Sequence, residues 1–483
     1  MTQIWCANGV QCATELEDIL SAACSTHEAI DNALRSYLAF TTNFRGEYLQ
    51  TEYDVAKCSY KLLDSPIFHA HAEYVRRQCV YALLQEDEAS SLHILAAVLL
   101  HDGRTNEESF LMLQQEGAFP RLVELIVEYD EKEGEEQLHR ILLDILYEMS
   151  RIQRLTWEDL CMSDLRTMDT HILTCVTASI NDNFVLTLLT ITESVSNDAS
   201  DPYHYPIIRV LLVLNEQYMV LSAIHPASPT HPPLTNRVLK CLATHLDRYK
   251  TFGENLILLL NRESETSLQL LILKLLFLIF STKSTSEYFY TNDLHVLTDV
   301  ILRNLLDLPA EDEAMKALRH TYLRVLHPLL ANSQLSKPSM AYKAREILAV
   351  MRVLEGDSNS GSGYFHFAPA DETTVRLVKR CRTVPWLDSV YQANQPRKEE
   401  NGEASSSSDD KENESGGSPS HKRVDSARKT GDGSKEVANK LLGMNLNAAT
   451  ESALSVAAVA EHMEKPGKIT PSMGLAKADA RGS

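Results

Sequence analysis

The chain has little of what enzymes, secreted proteins and membrane proteins rely on. In 483 residues there is no GxxxxGK[ST], no GxGxxG after a strand, no GxSxG and no HExxH. The common signatures of phosphate cradling, dinucleotide binding, serine hydrolysis and zinc hydrolysis are therefore missing. The nine cysteines, Cys6 to Cys381, form no CxxC pair. That fits buried thiols in a reducing compartment rather than a disulfide framework or a zinc site. His69 and His71 stand two apart, which on a helix points them to different sides, so one metal would not reach both. His93 and His101 are read as surface or interface residues. The N-terminus, MTQIWCANGVQCATELEDIL, lacks a basic leader region and soon turns acidic. Arg262, Glu263, Glu265 and Lys274 interrupt the longest apolar region before a bilayer-spanning length accumulates. Positive charge is also scarce, with a net charge of −20, so the overall field repels nucleic acid and anionic lipid. These absences predict a cytoplasmic chain that is not an enzyme and uses no metal or cofactor.

What is present is helix. From about residue 12 to residue 352, apolar segments of helical period alternate with short connectors, and no alternating strand pattern interrupts them. Clear examples are Leu92 to Leu100, Phe119 to Tyr129, Leu138 to Met149, His171 to Ile180, Phe184 to Ser194, Tyr205 to Leu221 and Thr235 to Leu246. Many helices of this length can bury their stripes by stacking, as armadillo and HEAT arrays do. A leucine-rich-repeat horseshoe would need LxxLxL units, whereas the leucines here cluster as LLxLL. The predicted fold is all-α, an armadillo/HEAT-like helical stack or superhelix.

The densest signal is Leu268 to Leu330, where three leucine-rich runs are joined by short polar connectors. The first, Leu268 to Phe280, is apolar nearly all round except at Lys274, which implies burial on every side. The other two are one-sided: Leu297, Ile301 and Leu305 recur every four residues, and Leu318, Tyr322, Val325 and Leu326 share an arc. Opposite that second arc lie Arg319, His320, Arg324 and His327, a basic face on an acidic protein. Such a face suits a protein interface or pairs with acids nearby. Pro328 is expected to end or kink this helix. In the connector Ser286 to Asp293, Thr291, Asn292 and Asp293 are expected to cap the next helix. Tyr288, Phe289 and Tyr290 cannot easily all face the core, so at least one is available to a partner.

Two regions read as connectors or tail. Pro226, Pro229 and Pro232 have PxxP spacing, which fits an SH3 ligand or a stiff link between helices. Past the flexible joint Gly356 to Gly363, one more helix, Thr373 to Cys381, and the apolar Val384 to Leu387 can dock back onto the stack. Residues 1–391 are thus expected to form the helical domain and 392–483 a disordered, low-complexity tail. In that tail Ser405, Ser406, Ser407 and Ser408 precede acids, and Ser426 follows Lys422 and Arg423, so all five are candidate phosphorylation sites.

The strings EYFYTNDLHVLTDV and LRHTYLRVLHPLLANSQL, then YKAREI at Tyr342 to Ile347 and HFAPADETTVRLVKRCRTVPWL at His366 to Leu387, resemble the leucine-rich domain of the WISH/DIP/Ldb family. That family comprises the Nck-interacting protein with SH3 domain and its fungal relatives, and the match is best over 256–387. The resemblance implies an activator that binds the actin-related protein 2/3 complex without a preformed filament. It would nucleate linear actin filaments that seed branched networks at endocytic cortical patches, touching actin only indirectly. The chain departs from relatives in showing no N-terminal SH3 domain and no long proline-rich tail, which bears on recruitment by SH3 proteins. The alternative is a passive scaffold for endocytic or SH3-containing partners. The main contact is expected on the C-terminal half of the stack, led by Arg319, His320 and Arg324, with Tyr288, Asn292 and Lys343 secondary. On this reading Arg319 and Arg324 are exposed and unimportant to stability.

Overall fold

A computed structural model describes residues 15–21, 26–130, 132–155, 160, 180–224, 234–309, 312–337, 342–356 and 371–393. Pro226, Pro229, Pro232, the tail serines 405–408 and 426, and the predicted helix starting at His171 lie outside the described residues. The described chain is all-helical. In order the helices are α1 His27–Asn43, α2 Arg45–Tyr48, α3 Glu52–Leu63, α4 Pro66–Gln85, α5 Ala89–Thr105, α6 Glu108–Gln115, α7 Ala118–Glu128, α8 Glu136–Ile152 and α9 Asp182–Glu193. Then follow α10 Tyr205–Ile224, α11 Arg237–Thr244, α12 Lys250–Arg262, α13 Thr266–Ser281, α14 Thr291–Asp307, α15 Glu313–Asn332, α16 Ala344–Leu354, α17 Glu372–Arg382 and α18 Pro385–Ala393.

The stack has a spine. Helix α3 packs on α5, α5 on α8, α8 on α10, α10 on α13, α13 on α15, and α15 on α17. Composition explains which helices take these places. Every residue from Ser91 to Gly103 in α5 is buried, and α13 is buried at Leu268, Leu270 to Phe277, Ile279 and Phe280. Helices that are apolar all round can only be satisfied by neighbours on all sides. The flanking helices carry one stripe instead: in α16, Ile347, Leu348, Val350, Met351 and Leu354 are buried while Arg345, Glu346 and Ala349 face out. Helix starts are fixed locally. Thr51 and Asp54 form a capping box on α3, and Asn181 accepts from the Phe184 amide at 2.8 Å to start α9. Each such cap stabilises by about 1 kcal/mol.

Several charged side chains inside the spine are paired. Lys274, 3% exposed, reaches Glu216 of α10 at 2.6 Å, which offsets the cost of an ammonium among leucines. Asp144 of α8 holds Arg104 of α5 and Arg209 of α10, each at 2.9 Å, tying three successive spine helices. Helix α10 is long and apolar enough to cross a bilayer by length and hydropathy. Its flanks are nevertheless covered by α8 and α13, and it carries the buried Glu216, as a core helix does.

Several sequence expectations change on contact with the fold. Pro328 does not end α15, which continues to Asn332. Helix α14 is capped by none of Thr291, Asn292 or Asp293: Tyr290 is its N-cap and offers no side-chain bond, while Thr291 donates to Gln334 at 2.6 Å. His93 and His101 are buried in α5 rather than on the surface, because that helix has no solvent face. The described cysteines Cys58, Cys79, Cys241 and Cys381 are buried, as expected of thiols used as small apolar side chains.

Candidate functional site

The residues singled out in the C-terminal half do not form one face. Arg319 is 5% exposed. Its Nη2 donates to the carbonyls of Leu308 at 2.8 Å and Pro309 at 3.0 Å, so it latches the corner between α14 and α15. His320 Nε2 lies 3.0 Å from Asp371 Oδ1, and Asp371 is the N-cap of α17, accepting from the Thr374 amide at 2.9 Å. These bonds hold the Asp371 carboxyl at about 2, against the opposing effect of its burial. Burial moves His320 the other way, below its ordinary value, despite that carboxylate. The helical-wheel arc is therefore corrected: helix α17 lies against it, and Arg319 and His320 are spent on structure.

Tyr288 is corrected in the same way, since it is 1% exposed and its hydroxyl donates to the Tyr249 carbonyl. Phe289 is also buried, and the available aromatic of the three is Tyr290, 53% exposed. The reason is Gly253 of α12, whose missing side chain admits the two rings; a Cβ there would stand 2.8 Å from Tyr288 and 3.0 Å from Phe289. Lys250 lies over the rings of Tyr288 and Tyr290, at 5.0 and 4.8 Å from their centres.

Among the described residues of the C-terminal half, two surfaces remain open. The first is a groove of about 680 Å³ between α14 and α16, lined by Val296, Val300 and Leu306 on one side and Ala349 and Val353 on the other. Val296 is 52% exposed, and Asn292, one turn earlier, is exposed and makes no described hydrogen bond. Lys343 stands at the groove with its ammonium 3.0 Å from Asp299, a bond that raises its pKa. Its backbone is left-handed, φ 46°, which fixes the start of α16. Of the sequence-derived residues, Lys343 lines this groove, and Asn292 is exposed one turn before Val296 on the same helix.

The second surface is the seam of α15 with α17. Arg324 and His327, half-buried on α15, meet Arg376 and Arg380 of α17, which are exposed. Burial, and then the like charges of Arg376 and Arg380, lower the Arg324 pKa. Burial and Arg380 do the same to His327. Sequence reasoning missed Arg376 and Arg380, although the run RLVKRCR places them four apart on one helix face.

Residues 200–347, from the approach to α10 to the first turn of α16, match the family described as SPIN90/Ldb17, leucine-rich domain. Among curated relatives, Protein dip1 of Schizosaccharomyces pombe is 28% identical over 386 residues, covering 79% of this chain and 94% of its own length. Protein LDB17 of Eremothecium gossypii is 28% identical over 397 residues, covering 76% of this chain and 79% of its own. Protein LDB17 of Saccharomyces cerevisiae is 28% identical over 396 residues, covering 74% and 76%. Residues 200–347 are thus similar to the SPIN90/Ldb17 leucine-rich domain, and the likeness to Protein dip1 and the LDB17 proteins extends over about three quarters of the chain.

Proposed function

We propose that this chain binds and activates the actin-related protein 2/3 complex without a preformed filament, through the face formed by α14 and α16. It acts as a non-enzymatic regulator in the cytoplasm, seeding linear filaments at cortical actin patches during endocytosis. The observation that carries the reading is that the stretch matched to the family, 200–347, exposes Val296 at an open groove, with Tyr290 and Asn292 exposed at the start of the same helix. Exposed apolar residues at a concave surface mark protein contacts. Driving a two-state complex from mostly off to mostly on requires roughly 5.5 kcal/mol of preference for the active arrangement. A rigid spine with its charges internally matched presents such a face without losing order on binding.

Fluorescent actin polymerisation with purified chain and complex, in the absence of seed filaments, tests the reading. Shortening of the lag that requires the complex is the expected result. Binding with no change in the lag would instead identify a passive scaffold. Val296→Asp, at a half-exposed position, is expected to abolish the effect with an unchanged melting temperature. Full activity in that folded variant would move the contact off this face.

A further inference from the structure

The α15/α17 seam is cationic without a described counter-charge. Arg324, Arg376, Lys379 and Arg380 make no ion pair among the described residues, and with Asp371 and Glu372 counted they leave a net +2 on a chain of net −20. Close by, Arg382 is matched to Glu355 at 2.6 Å. Arginines gathered without a carboxylate repel one another, and Arg376 and Arg380 add to burial in lowering the pKa of Arg324; an anion relieves that repulsion.

The chain supplies one. Residues 399–414, EENGEASSSSDDKENE, hold seven carboxylates against one lysine, a net −6. They follow closely on α18, which ends at Ala393 and packs on α16 and α17. Ser405 lies twelve positions after Ala393, an extended reach of about 40 Å. Helix α18, nine residues long, spans only about 13 Å. The tether therefore reaches the seam with slack, at an effective concentration of order millimolar. We propose that the α15/α17 seam is the docking site of the chain's own acidic serine segment, 399–414. Phosphorylation of Ser405 to Ser408 tightens the contact, because each phosphate adds about −1.5 to −2 of charge and an arginine fork pairs it bidentately. The site is distinct from the α14/α16 face and does not depend on binding of the actin-related complex.

A fluorescein-labelled peptide of residues 399–414, plain or phosphorylated at the four serines, is titrated onto the full chain by anisotropy. The expected result is binding roughly ten-fold or more tighter to a full chain whose seven segment acids are changed to amides than to the unaltered chain, since the tethered copy no longer competes. The phosphorylated peptide binds more tightly than the plain one. Arg324→Gln, Arg376→Gln and Arg380→Gln together, in the amide background, abolish binding while the melting temperature holds. Equal affinity for the two backgrounds would overturn occupancy by the chain's own segment. Binding that survives the three arginine changes would place it elsewhere. Co-sedimentation of the unaltered chain with phosphatidylserine vesicles through these arginines would show an open seam that takes a membrane, and would also overturn the proposal.

Discussion

Cations in the spine and cations at its C-terminal end differ in what faces them. Arg76 is gripped by Asp102 at 2.6 and 3.1 Å, Arg104 and Arg209 share Asp144, and Lys274 has Glu216. Arg324, Arg376 and Arg380 have no carboxylate partner among the described residues. The difference separates two uses of the same side chain. A charge taken out of water must be matched or the fold loses several kcal/mol, whereas one left at the rim tolerates an empty counter-position and is free to meet a ligand.

The comparison breaks most severely at Asp102. That carboxylate is 4% exposed and holds both Arg76 and the Ser109 hydroxyl. Asp102→Ala leaves the Arg76 guanidinium in the interior with only Glu108, at 3.5 Å. The expected loss is about 3–5 kcal/mol, read as a fall in the denaturant midpoint with an unchanged slope. A loss under about 1 kcal/mol would mean that water solvates Arg76 and that the spine is less dry than its burial indicates.

Arg319 sharpens the contrast within a single helix. It lies five residues from Arg324 and was read from the sequence as its equal. Arg319→Ala removes a charged donor from two carbonyls, and the expected cost is about 2 kcal/mol. A thermal melt that equals the unaltered protein's would return Arg319 to the list of available surface cations.

The sequence made the stack legible because α5, α10 and α13 advertise burial in composition alone: a run such as LQLLILKLLFLIF has no wet face to offer. The exposed aromatic was half legible. Adjacency showed that Tyr288, Phe289 and Tyr290 could not all be buried, but which one stayed out depended on Gly253, 35 residues before Tyr288. The basic arc of α15 misled for a related reason. A helical wheel shows a face but not its cover, and the cover here is α17, brought back from beyond residue 370 by the His320 to Asp371 bond and the Trp386 indole donating to the Leu330 carbonyl at 3.0 Å. Long-range partners of this kind leave no local period to read.

Acid probes the buried half of the comparison more gently. His93 is 1% exposed with neither ring nitrogen hydrogen-bonded, and burial, with Arg45 and Arg140 adding to it, pushes its pKa down to about 3. Burial holds His101 at about 4, with Arg104 adding to it. An unfolded histidine takes a proton near pH 6.5, so between that value and the folded pKa the unfolded chain binds the extra proton. Stability is therefore full above about pH 6.5 and falls as the solution is acidified towards pH 4, by up to about 1.4 kcal/mol per pH unit for each such histidine. His93→Leu loses no hydrogen bond and is expected to flatten this limb. Denaturant midpoints at pH 7 and pH 5 that stay as far apart in the variant as in the unaltered protein would exclude His93 as a source.

The smallest effect belongs to the rim. Arg376 and Arg380 are exposed on α17 and make no ion pair among the described residues, and both add to burial in lowering the pKa of Arg324. Changing them to glutamine removes repulsion and no described contact. Surface changes of this kind stay within about 0.5 kcal/mol, and here the sign is stabilising. The gain is expected at low salt and disappears as added salt shortens the Debye length to about 8 Å near 0.15 M. Melting curves of Arg376→Gln with Arg380→Gln, in the chain whose seven segment acids are changed to amides, read both parts at low and physiological ionic strength. A destabilised double variant in that background would mean that these arginines hold a carboxylate of the helical domain itself, and then the seam would be matched like the spine rather than opposed to it.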